Sequence, residues 1–289
     1  MDGVLVCDKP AGMTSHDVVA RVRRLAGQRR VGHGGTLDPP ATGVLVLALG
    51  RATRLLPFLP MEPKRYLARI AFGAETDTLD ASGTVNATAE TAGVDEPALR
   101  DALGGFLGPQ QQLPPMVSAV KVGGERLYAK ARRGESVERA TRPIVVHALE
   151  LVDFAAGERP EATVAVTCSG GTYVRSLAAD LGRALGTLAH LAGLRRTAAG
   201  QFTEGDAHTL PALEAMAGGL ARVVLAPAQA LRSIAVRPLS AAEAAALATG
   251  ATLPPSGRAE PVAALAPDGR LVAVIQDDAG RARSRVVLA

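Results

Sequence analysis

Tryptophan is absent, and aromatic residues make up only 3% of the 289 positions, as three Tyr and five Phe. Any stacking surface must therefore rest on very few side chains. Only two cysteines occur, Cys7 and Cys168, far apart in apolar runs and without ligand spacing. They read as reduced core thiols, not as a disulfide or half a metal site. The five histidines form no H-E-x-x-H or similar cluster, so neither a metal nor a cofactor is assigned. No apolar run approaches the 18 or so residues of a membrane span. The opening residues, Met1 to Lys9, lack the basic-then-apolar order of a signal peptide, and a cytoplasmic location is expected. Lysine occurs four times, as Lys9, Lys64, Lys121 and Lys130, so 28 of the 32 basic residues are Arg. That bias reflects codon composition. The net charge of +4 permits a polyanionic partner without demanding one.

Apolar residues account for 47% of the chain and the mean hydropathy is +0.15, which suffices for a substantial core and excludes global disorder. Val4 to Cys7 reads as a short buried strand. Thr14 with Asp17 resembles a capping box, Val18, Val19, Val22, Leu25 and Ala26 recur at helical spacing, and Gly27 suits the position just past the helix. Residues 28–43 are too rich in Gly and Pro for either regular element, and a buried strand follows from Val44 to Leu49. Further strands are predicted at 66–72, 117–122, 145–153 and 162–168, and helices at 97–103, 127–133 and 174–185. Strands and helices mix without regular alternation, which predicts an α+β fold around a large mixed β-sheet flanked by helices. A boundary falls near 231–238, dividing the chain into 1–232 and 233–289. The second part carries a Ser240/Glu243 capping pattern, a helix over 241–249 closed by Gly250, and strands at 261–266, 270–276 and 281–288 separated by turn signals.

The most informative stretch is Val31 to Gly43. One acid, Asp38, sits there among glycines and prolines, which allow close approach of a ligand and stiffen the loop. On composition alone, a tight turn in which Asp38 bonds its own backbone is the stronger reading. It is no P-loop, since Gly-Lys-Ser/Thr is missing.

The run His33-Gly34-Gly35-Thr36-Leu37-Asp38-Pro39-Pro40-Ala41-Thr42-Gly43-Val44-Leu45 resembles the catalytic motif of the TruB family of pseudouridine synthases. Further segments agree in order and spacing. They are Asp8-Lys9-Pro10-Ala11-Gly12-Met13-Thr14-Ser15, Lys64-Arg65-Tyr66 leading to Gly73–Gly83, Gln112–Lys121, Cys168–Leu177 and Leu194-Arg195-Arg196-Thr197. Together they span residue 3 to about 205. The resemblance implies a pseudouridine synthase fold with a small C-terminal PUA-like module. It also implies isomerisation of the T-loop uridine at position 55 of tRNA, by a monomer that needs no protein partner. Asp38 would attack the uridine. Tyr66 would stack on the base and take part in proton transfer at C5. Arg175 would pair with Asp38 and keep it ionised. His33 would touch RNA beside the flipped base, and Tyr173 and Leu194 would line the pocket. Lys9, Lys121, Arg126, Arg132 and Arg133 are candidate RNA contacts, the last four within a basic segment, 121–142, that resembles a mobile grip on the tRNA arm.

Without the motif, Tyr66 is a strand aromatic, Leu194 a core residue, Arg175 a solvated helix charge and His33 a turn residue. The basic segment is equally a solvated helix face with local ion pairs. Moving the glycosidic link of uracil from N1 to C5 involves no redox change, and a carboxylate can attack either C1′ of the ribose or C6 of the base. Three alternatives stand beside this reading: a guide-RNA-dependent synthase of the same superfamily, a tRNA chaperone that binds the T-arm without catalysis, and a metal-free hydrolase using Asp38.

Overall fold

The computed structural model describes residues 1–116, 121, 122, 125, 126, 139–216 and 218–288. The chain forms two compact units, one made of 1–39, 43–61 and 199–289, the other of 40–42 and 62–198. These units are cut differently from the division at 232 read from the sequence. The fold class is α+β, as expected.

In the first unit the strand Gly3–Lys9 runs antiparallel to Thr42–Leu49, with Leu5 opposite Leu47. Both are apolar at nearly every position because both of their faces are covered. Leu5, Cys7, Leu45, Leu47 and Leu49 join Val18, Val19 and Val22 of the helix Ser15–Leu25 in one core. Val4, Val6, Val44 and Val46 face the other way, into a core shared with Phe202, Ala263, Leu271 and Val274. The helix starts at Thr14 with the capping box to Asp17, and Gly27 takes the left-handed backbone expected of it.

Residues 28–43 differ from the reading that excluded regular structure. Val31–Gly34 is a strand, paired with Thr42–Leu49 through His33 opposite Leu47. At Gly34 the Met61 side chain packs into the space a Cβ would take. At the C-terminal end the strands Val262–Leu265, Leu271–Asp278 and Arg281–Val287 form an antiparallel meander, with Val236–Pro238 added in parallel. The helix Ala241–Ala248 is capped by Ser240 and Glu243 as the sequence indicated.

In the second unit the strand Lys64–Phe72 pairs antiparallel with Glu161–Cys168, placing Tyr66 opposite Val166 and Lys64 opposite Cys168. Arg142–Ala155 and Gly108–Gln112 extend this sheet on one side, and Ala189–Ala199 borders Lys64–Phe72 on the other. Period-two alternation buries Tyr66, Ala68, Ile70 and Phe72, while Leu67 points outward. The strand Ala189–Ala199 was not anticipated, because His190, Arg195, Arg196 and Thr197 interrupt the apolar pattern. Helices occupy Glu96–Gly104 and Val174–Ala184, matching the predicted spans to within a residue. The helix predicted at 127–133 and the strand residues 117–120 lie outside the described residues.

Candidate active site

Asp38 lies half-buried in the irregular loop after the strand Val31–Gly34. The backbone on either side of it is pinned. The buried Ser15 hydroxyl donates to the Leu37 carbonyl at 3.1 Å and accepts from the Leu37 amide at 2.9 Å, so one side chain satisfies both polar groups of that residue. After Asp38, the Pro39 carbonyl accepts from the Gly12 amide at 2.9 Å and from the Lys9 ammonium at 3.1 Å. The DKPAGMTS segment thus clamps the loop that carries the acid, which is the pre-organisation a reacting carboxylate needs.

This placement corrects the expectation for Lys9. The side chain is 0% exposed and its ammonium also donates to the Pro10 carbonyl at 2.9 Å, so it supports the loop from inside and offers nothing to a phosphate. His33 is half-buried on its strand, with the His16 ring edge-on at 5.1 Å.

Arg175 is the second residue of the helix Val174–Ala184 and is 4% exposed, unlike the solvated charge that its sequence position alone suggests. Its guanidinium donates to the Thr78 carbonyl at 3.0 Å and pairs with the buried Asp80 carboxylate at 3.6 Å. Asp80 is itself fixed by the Thr78 hydroxyl at 2.8 Å and by the amide and hydroxyl of Ser82. The tight loop between the paired strands Ala74–Thr76 and Val85–Thr88, with Leu79 in a left-handed conformation, presents Asp80 to the helix. Asp80 falls within the Gly73–Gly83 segment, where nothing in the sequence alone marks it as a partner of Arg175.

Tyr66 is 7% exposed and shares a side-chain hydrogen bond with Arg196. Tyr173 is half-buried just before the helix. The buried Gln112 side chain accepts from its amide at 2.8 Å and donates to its carbonyl at 3.0 Å, and the Arg142 guanidinium lies 5.7 Å from its ring centroid. Gly171 adopts φ +85°, and a Cβ there would overlap that guanidinium. Leu194 is half-buried on the strand Ala189–Ala199. Of the basic segment, Lys121 and Arg126 fall on two short paired strands described by backbone alone, and Arg132 and Arg133 lie outside the described residues. Among the described residues, no cluster of three His, Cys, Asp or Glu side chains could hold a metal ion. No helix among them is long and apolar enough to cross a membrane.

A family model described as TruB family pseudouridylate synthase (N terminal domain) matches residues 23–174. Models described as tRNA pseudouridylate synthase B C-terminal domain and tRNA Pseudouridine synthase II, C terminal, match 175–243 and 234–289. The chain belongs to the TruB family of tRNA pseudouridine synthases. Members of this family are isomerases that modify RNA. The tRNA pseudouridine synthase B of Thermobifida fusca (strain YX) is 47% identical over 293 residues, covering 100% of this chain and 99% of that protein. The enzyme of the same name from Symbiobacterium thermophilum is 52% identical over 231 residues, 80% of this chain and 76% of its own. Among solved structures, a chain of the archaeal box H/ACA sRNP Nop10-Cbf5 complex is 26% identical with a TM-score of 0.72, covering 99% of this chain and 86% of that one.

Proposed function

We propose that this TruB-family chain isomerises the T-loop uridine at position 55 of tRNA, with Asp38 as the group that attacks a uridine flipped from its stack. The observation that carries the reading is the Asp38 loop. Asp38 is half-buried, and the backbone beside it is fixed on one side by Ser15 and on the other by Gly12 and Lys9. A carboxylate so held loses little freedom on reaching a bound ribose or base, which is where a positioned nucleophile gains its advantage. Arg175, anchored by Asp80, is the cation that the family resemblance assigns to the attacking acid. Tyr66 supplies the platform for the flipped uracil and the oxygen nearest its C5. His33, Tyr173 and Leu194 complete the contacts to the nucleotide. The substrate is the T-arm, read largely by its folded shape because the chain has few aromatics with which to read bases. The protein acts in the cytoplasm as a monomer.

Incubation with an unmodified tRNA transcript, followed by carbodiimide-dependent primer-extension stops, tests this reading. One pseudouridine is expected, at the T-loop uridine, both in the full transcript and in an isolated T-arm hairpin. A linear oligonucleotide of the same sequence should not react, because flipping costs less in the preformed loop. Asp38→Asn should retain binding while turnover falls at least roughly a thousandfold, about 4 kcal/mol in barrier. Residual activity within tenfold of wild type, or equal modification of the linear RNA, refutes the assignment.

A further inference from the structure

Gln112 ends the strand Gly108–Gln112, whose sequence GPQQQ gives no reason to place its last glutamine inside. Gln111 is exposed, yet Gln112 is only 4% exposed. Burying a glutamine removes rotamer freedom and strips an amide of water, which a fold tolerates where both ends of that amide are bonded. Both ends are bonded here, and to a single residue. The Tyr173 amide donates to Gln112 Oε1 at 2.8 Å, and Gln112 Nε2 donates to the Tyr173 carbonyl at 3.0 Å. Tyr173 is the residue from which the helix Val174–Ala184 starts; its backbone is extended and its own side chain makes no capping bond. The course by which the chain enters that helix is therefore fixed from outside, by Gln112. Arg175 is the second residue of the same helix. Arg142 stands opposite Gln112 in register, with its guanidinium 5.7 Å from the Tyr173 ring centroid. The cross-strand pair thus meets Tyr173 twice, Gln112 at the backbone and Arg142 at the ring.

We infer that Gln112 is a positioning residue for the isomerisation: through its two bonds to Tyr173 it sets where the Tyr173 ring and the Arg175 side chain stand against the flipped nucleotide. The inference rests on the reading that Tyr173 and Arg175 belong to the site that isomerises uridine. Gln112 touches neither base nor ribose in this role and acts only through the backbone it holds. A side chain on a helix start moves with the backbone beneath it, and a shift on the order of 1 Å at a reacting centre can cost about a hundredfold in rate. Affinity for the T-arm is spread over many phosphate contacts and is far less sensitive to one such shift. Loss of Gln112 is therefore felt after binding, when the uridine is flipped and reacts.

The test measures Kd for a T-arm hairpin and single-turnover rates at saturating hairpin. Gln112→Met keeps the size of the side chain and removes both bonds. Its rate should fall at least roughly tenfold while its Kd stays within about threefold. Ser176→Ala is the control. The Ser176 hydroxyl donates to the Leu113 carbonyl at 2.9 Å, tying the same two stretches of chain without touching Tyr173, so this variant should keep its rate within about threefold. Gln112→Glu supplies a rescue. A neutral carboxyl accepts from an amide and donates to a carbonyl as glutamine does, whereas a carboxylate only accepts. Its rate relative to wild type at the same pH should therefore climb as pH falls, down to the lowest pH at which wild type turns over. A smaller loss in Gln112→Met, a loss carried by Kd, or an equal loss in Ser176→Ala overturns the inference. If Gln112→Met fails to fold, Gln112→Glu decides, and a relative rate that stays flat with pH overturns it. The underlying reading fails separately: Tyr173→Ala and Arg175→Met variants that both keep the wild-type rate remove these residues from the reaction whatever Gln112 does.

Discussion

Ser15→Ala deletes one oxygen atom, and two hydrogen bonds go with it. Both belong to Leu37, the residue immediately before Asp38, and both are buried. A buried backbone amide or carbonyl left without its partner costs about 1–3 kcal/mol, so losing this hydroxyl should destabilise the protein by about 2–4 kcal/mol once water entry offsets part of the loss. A domain with 5–15 kcal/mol to spare, as is typical, still folds. The consequence for turnover should be larger than stability alone predicts, because the released backbone carries the acid, and a misplacement on the order of 1 Å can cost about a hundredfold in rate. Thr14→Ala is the control. It breaks the capping box with Asp17 one residue away, at about 1 kcal/mol, and leaves Leu37 untouched. Urea denaturation with unchanged m-values gives the two stability losses, and single-turnover rates on the T-arm hairpin at a denaturant-free, saturating condition give the two activities. Thr14→Ala should keep its turnover, whereas Ser15→Ala should lose at least tenfold. A Ser15→Ala enzyme within twofold of wild type, or one destabilised by less than about 0.5 kcal/mol, would show that this clamp does not position Asp38.

Hydrogen bonds from the Thr14 hydroxyl and amide hold the Asp17 carboxyl below its ordinary value near 3.8. A depressed folded value stabilises the protein at pH above the ordinary value, and that contribution disappears as pH falls through the folded one. The stability difference between wild type and Thr14→Ala should therefore be flat above about pH 5 and shrink below 3.8, and a difference that grows on acidification refutes the assignment. Burial, with Asp8 adding to it, pushes the Cys7 thiol up to about 12, and burial also raises Cys168. Neither should alkylate with iodoacetamide at pH 8 until denaturant is added, and rapid labelling of the native protein would contradict the buried placement.

Much of this architecture is legible in the sequence where one physical signal dominates. The apolar runs Val4–Cys7 and Val44–Leu49 are strands because both faces are covered, and the Thr14–Asp17 and Ser240–Glu243 pairs mark helix starts because they satisfy otherwise unpaired amides. The motif segments likewise point to Asp38, Tyr66 and Arg175. What stayed hidden is the set of buried polar groups that hold those residues. A polar side chain is assigned outward by default, and the rule fails only where a distant segment supplies its partner. Lys9 was placed against RNA, yet the loop 30 residues later takes its ammonium. Gln112 holds the backbone of Tyr173 across 61 residues, and Arg175 finds its carboxylate in Asp80. Arg196 breaks the apolar rhythm of its strand, and so concealed the strand itself.

These groups share a cost and a use. Each takes a polar or charged atom out of water, which the fold tolerates only where the bond it makes is well formed. Several of those bonds end on a motif residue or on the backbone beside one: Ser15 on Leu37, Lys9 and Gly12 on Pro39, Gln112 on Tyr173, Arg196 on Tyr66. Hydrophobic burial could hold the same strands in register, but it is non-directional and cannot fix the angle of a carboxylate or a phenol. Directional bonds from a rigid support can, which is why the polar expense is concentrated around the residues assigned to the chemistry.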